Sequence, residues 1–130
     1  MYKWIPCLAL AVIGCGGGSG LEGTWKGDAA GWSVTVVLNE SVEQNGTAVY
    51  SGTVSSNKST CFNNGTAVGT LVNESSATVS SSASGSASST TILEITGEVS
   101  GDKLTGYLEA VSSNTAECDL DRTAITLTRQ

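Results

Sequence analysis

Apolar and polar positions alternate with a period of two along most of this chain, the pattern of strands with one face in a core and one in water. Trp32, Val34, Val36 and Leu38 share one face against Ser33 and Thr35. Leu93, Ile95 and Val99 oppose Glu94, Thr96 and Glu98, and Leu104, Leu108 and Ala110 oppose Thr105, Tyr107 and Glu109. Near the end, Ile125 and Leu127 oppose Ala124, Thr126 and Thr128. Val, Thr, Ile and Ser fill these runs, and Gly, Asn and Asp break them. The pattern predicts eight strands, at 22–28, 31–39, 46–55, 66–72, 75–82, 90–99, 103–112 and 122–129. Helix signals are nearly absent after residue 20.

The breaks between the strands carry turn chemistry. Gly101-Asp102 suits a two-residue hairpin loop. Asn73-Glu74 joins the fourth strand to the fifth, and Asn45-Gly46 opens the third. The stretch 80–90 consists of Ser, Ala, Gly and Thr alone and reads as a mobile loop. Eight strands with short connections favour an all-β fold: a small antiparallel up-and-down β-barrel, which removes the exposed edges an open sheet would leave. A β-sandwich of the same strands is the alternative.

The N-terminus departs from this pattern. Lys3 precedes an apolar run from Trp4 to Ile13, too short for the ~20 residues that span a bilayer. The run ends in Val12-Ile13-Gly14-Cys15, followed by Gly16-Gly17-Gly18-Ser19-Gly20. This resembles the lipobox of bacterial lipoprotein signal peptides. The resemblance implies a leader over residues 1–14, acylation of Cys15, a Gly-rich tether over 15–20 and a barrel domain over 21–130. It also implies export and attachment to the cell envelope. No Asp follows the cysteine, which points to the outer membrane. An ordinary secretory leader cut near the glycines, with Cys15 a free thiol, is the competing reading.

With Cys7 in the leader and Cys15 acylated, Cys61 and Cys118 remain as one pair in an oxidising compartment, where a disulfide is the default. In an up-and-down meander both lie in connections at the same end of the barrel, so the pairing needs no special topology.

The opening Leu21-Glu22-Gly23-Thr24-Trp25, followed by Gly31-Trp32 and an alternating strand, resembles the first hairpin of lipocalin-like and avidin-like barrels. In lipocalins that first Trp packs across the closed end of the barrel, which implies the same role for Trp25. Trp25 and Trp32 are the candidate ligand-binding residues. Core packing competes with that role, foremost for Trp25. An aromatic beside the mouth can stack on a sugar or an apolar ligand, which singles out Trp32.

Composition narrows the chemistry. The chain has 6 basic and 12 acidic residues, a net charge of −6 and no histidine. Such a chain is a poor match for nucleic acid or for direct adsorption on anionic lipid, and a fair one for a basic protein partner. Without histidine, serine or cysteine nucleophiles lack the usual base. Glu94 and Glu98 sit roughly 13 Å apart on one strand, beyond the spacing of a glycosidase pair. Glu117, Asp119 and Asp121 offer oxygen ligands without the spacing of an EF-hand, and read as a solvated loop. An outer-membrane barrel would need an apolar outer band and aromatic girdles, and the outward positions are mostly Ser, Thr and Glu. No cofactor or metal is expected, and no enzyme activity.

The expected function is therefore that of a membrane-anchored, exported, non-catalytic binding module. A small apolar or sugar ligand in the barrel mouth near Trp32 is the first form. The alternatives are a protein-interaction lipoprotein, such as an inhibitor of a basic hydrolase of the lysozyme kind, and a structural envelope lipoprotein.

Overall fold

The computed structural model describes residues 20–84, 90–113 and 115–130. The leader, Cys15 and the first part of the tether lie outside the described residues. Eight strands form one sheet: β1 (Gly23–Ala29), β2 (Trp32–Gln44), β3 (Thr47–Ser56), β4 (Asn64–Val72), β5 (Ser76–Ser84), β6 (Thr90–Ser100), β7 (Lys103–Ser112) and β8 (Leu120–Arg129). Each pairs antiparallel with the next, and β1 closes on β8 through Trp25 opposite Arg129. The closure makes this an up-and-down barrel and rules out the sandwich. A single 3-10 turn, Ala116–Cys118, precedes β8.

Two stretches run differently from the sequence pattern. β2 continues to Gln44, because a bulge between Asn39 and Val42 absorbs the break in alternation. Ala83 and Ser84, expected in a loop, continue β5 beyond residue 82 and pair with β6 as far as Ser84 opposite Thr90. Small side chains suit that strand, since Ser81 is buried and its hydroxyl donates to the Thr66 carbonyl at 2.7 Å.

The inward face of every strand supplies the core. Trp25, Val34, Val36, Leu38, Val54, Leu93, Ile95, Leu104, Leu108 and Leu127 are all buried. Eight strands enclose a space just wide enough for side chains to fill. Inward glycines draw the strands still closer. Gly97 pairs with Gly106, and a Cβ on Gly106 would lie 1.9 Å from the Thr96 carbonyl oxygen. At Gly52 the corresponding distance to the Val37 oxygen is 1.7 Å. Only glycine permits these approaches.

The two barrel ends differ. At one end lie the tight turns: Asn45-Gly46 (φ 54° and 82°) and Asn73-Glu74 (φ 52° and 65°), with Gly101 at φ 60°. At the other lie the Ala30-Gly31 turn and the connections that carry Cys61 and Cys118.

Candidate functional site

Cys61 and Cys118 form a disulfide, with Cα atoms 5.3 Å apart. The β3–β4 and β7–β8 connections lie on opposite sides of the ring of strands, so this bond crosses the mouth. Both cysteines are buried, and the Phe62 ring beside them is fully buried. The main chain holds Phe62 in place: its N–H donates to the Lys58 carbonyl at 2.8 Å, and its own carbonyl accepts from the Ser56 hydroxyl. Asn57 ties the same loop to the first turn. Its side chain accepts from Ser33 N–H at 2.8 Å and donates to the Gly31 carbonyl at 3.0 Å. The mouth is thus spanned by a disulfide, and the loop that carries Cys61 also buries an aromatic, Phe62.

Trp25 and Trp32 occupy opposite parts of the interior. Trp32 is opposite Ala29, near the disulfide end, and Trp25 is opposite Val36. Four residues of strand separate them, about 13 Å, so they form no single cradle. Their exposures are 1% for Trp25 and 3% for Trp32. Trp25 closes the tight-turn end, its indole N–H donating to the Leu21 carbonyl at 3.0 Å. The Arg129 guanidinium stacks on its ring, 4.3 Å from the centroid. The same guanidinium donates to the carbonyls of Gly20 at 3.0 Å and Gly101 at 3.1 Å, and to that of Glu22, and it meets Asp102 at 3.2 Å. Leu21, fully buried, completes the plug.

The outer wall carries exposed apolar and acidic side chains. A shallow depression of about 280 Å³ runs over β5, lined by Thr66, Val68, Ser80, Ser81, Ser82 and Ile92. The small side chains of β5 form its floor, and Val68 and Ile92, each 53% exposed, form its walls. Ile92 is paired directly with Val111, 55% exposed, which extends the apolar strip onto β7. Beside the strip, Ser80 faces Glu94, and Glu94 faces Glu109 across β6 and β7. Two carboxylates directly opposite each other on a sheet repel. Arg122, one strand away, stacks instead on the Tyr107 ring at 4.3 Å.

Sequence alternation marks Ile92 and Leu93 alike as apolar. Alternation with Glu94 and Glu98 sets Leu93 inward and so Ile92 outward, and the structure agrees: Leu93 is buried and Ile92 exposed. Glu117, Asp119 and Asp121 do not form a ligand set. Asp119 accepts the Ser112 N–H at 2.6 Å, and no group of three or more acidic or cysteine side chains among the described residues is placed to hold a metal. Comparison with family models, curated proteins and solved structures finds no match to this chain.

Proposed function

We propose that this chain is an exported lipoprotein, anchored at Cys15 to the bacterial cell envelope at the outer membrane. In this reading it is a non-catalytic module that binds a basic protein through the outer wall of its barrel. The observation that carries the reading is the strip Val68, Ile92 and Val111 with the facing carboxylates of Glu94 and Glu109 alongside. An exposed apolar patch on a soluble domain marks an interaction site. The acidic pair gains most from a partner bearing Lys or Arg, and the chain's negative charge steers such a partner in. A small apolar or sugar ligand near Trp32 is the weaker reading, because Trp32 is buried and the disulfide crosses the mouth.

The test is calorimetric titration of the mature protein with lysozyme, a representative basic hydrolase, at low and physiological salt. Salt-sensitive binding that Ile92→Asp weakens at least about tenfold, roughly 1.4 kcal/mol, supports the reading. Saturable binding of an apolar probe or an oligosaccharide, with no protein binding, would overturn it in favour of a ligand in the mouth.

A further inference from the structure

The tight-turn end carries a second exposed apolar group. Val42 is 74% exposed, Val49 43% and Val72 40%. Val42 pairs directly with Val49, and Val72 pairs with Thr47, two residues from Val49 on β3. These valines look outward from β2, β3 and β4 beside the Asn45-Gly46 and Asn73-Glu74 turns.

The chain enters the barrel at this same end. A Cβ on Gly20 would lie 2.8 Å from the Tyr50 hydroxyl, and Tyr50 adjoins Val49 on β3. Gly20 and Glu22 are gripped through their carbonyls by Arg129, and Leu21 is buried beneath them. The entry point therefore cannot swing to the far end without breaking those contacts. Five Cα–Cα steps separate Cys15 from Gly20, and at full extension they span about 17 Å. A lipid on Cys15 therefore holds the tight-turn end within that distance of the bilayer surface. The barrel itself is about 25 Å tall, from strands of about ten residues at 3.3 Å each, tilted as barrel strands are.

We propose that Val42, Val49 and Val72 form a platform that rests on the lipid surface. This rests on the reading of Cys15 as the acylated anchor. The occupant is a lipid bilayer, because the length and exit point of the tether bring no other apolar phase so close to this face. Glu43 and Glu74, both exposed at the same end, repel anionic headgroups, so the platform suits a zwitterionic surface. The orientation points the disulfide end outward. It also lifts the strip at Ile92 and Val111, which lies toward that end of β6 and β7, clear of the membrane.

The test uses the full lipidated chain in phosphatidylcholine vesicles that contain headgroup-nitroxide lipid. A fluorophore is attached through Val49→Cys or Val42→Cys at the platform, and through Ser59→Cys or Glu117→Cys at the disulfide end. All four positions are exposed, and near-ultraviolet circular dichroism confirms that each labelled chain is folded. The expected result is quenching at positions 42 and 49 several-fold stronger than at 59 and 117, weakened when phosphatidylglycerol is added. Equal quenching at both ends of a vesicle-bound chain would overturn the platform and leave the anchor standing. A wild-type chain that stays off the vesicles as completely as the Cys15→Ala variant would overturn the anchor and the platform together.

Discussion

Removing the disulfide with Cys61→Ala and Cys118→Ala together probes how the barrel mouth is held. The bond joins residues 57 apart in sequence. Closing a loop of that length restricts the unfolded chain by about 14 cal/mol/K, which is about 4 kcal/mol at 25 °C. A domain of this size unfolds with an entropy of about 0.23 kcal/mol/K. The variant should therefore melt about 15–20 °C below the oxidised wild type in far-ultraviolet circular dichroism. Wild type pre-reduced under mild denaturant should fall by a similar amount, which separates the cross-link from the small cavity that alanine leaves. The folded barrel should survive in both cases, because Phe62 and the Asn57 hydrogen bonds hold the β3–β4 loop independently of the sulfurs. A melting point lowered by less than about 5 °C would refute the argument, since the loop would then be closed by other contacts in the unfolded chain.

Three further changes test the remaining joints of the fold. Gly106→Ala drives a methyl group into the β6 backbone at Thr96 and Gly97, and should cost at least about 2 kcal/mol in urea unfolding, the range of overpacked cores. Arg129→Met keeps the aliphatic stem but strips the carbonyls of Gly20, Glu22 and Gly101 of their shared donor. A loss of about 2 kcal/mol is expected, with early hydrogen exchange at the start of β1 as the local signature. Ala30 sits at φ 51° in the first turn, a conformation that costs an ordinary residue about 1 kcal/mol or more. Ala30→Asn should raise the urea midpoint by the equivalent of about 0.5–1 kcal/mol.

Most of the barrel is legible in the sequence because it rests on local rules. Strict alternation in 32–38, 93–99 and 104–110 assigns the inward face at once, and Asn45-Gly46 and Gly101-Asp102 are turns by their own chemistry. The pairing of Cys61 with Cys118 follows where the lipobox resemblance sets Cys7 and Cys15 aside, and the parity of connections in a meander allows it. Other features depend on contacts between distant segments. Arg129 reaches Gly20, 109 residues away in sequence, and no pattern near either residue announces it. Phe62 stands alone in a loop, so periodicity gives it no role, yet it packs the mouth. In β5 the run of serines hides only the end of the strand, because register with β6 rather than side-chain bulk holds Ala83 and Ser84 there. The outer-wall strip is the least legible part. Parity sets Ile92 and Val111 outward beside Leu93 and Ala110, but only the ladder brings Val68, Ile92 and Val111 onto one side of the wall.

The proposed function depends most on an anchor at Cys15, and the intact mass of the chain extracted from cell membranes tests it most directly. The expected result is a mature protein that begins at Cys15, carries diacylglycerol on that sulfur, and leaves the membrane fraction when Cys15 is replaced by alanine. A soluble exported chain that begins within the glycines, or that carries an unmodified thiol at Cys15, would contradict it.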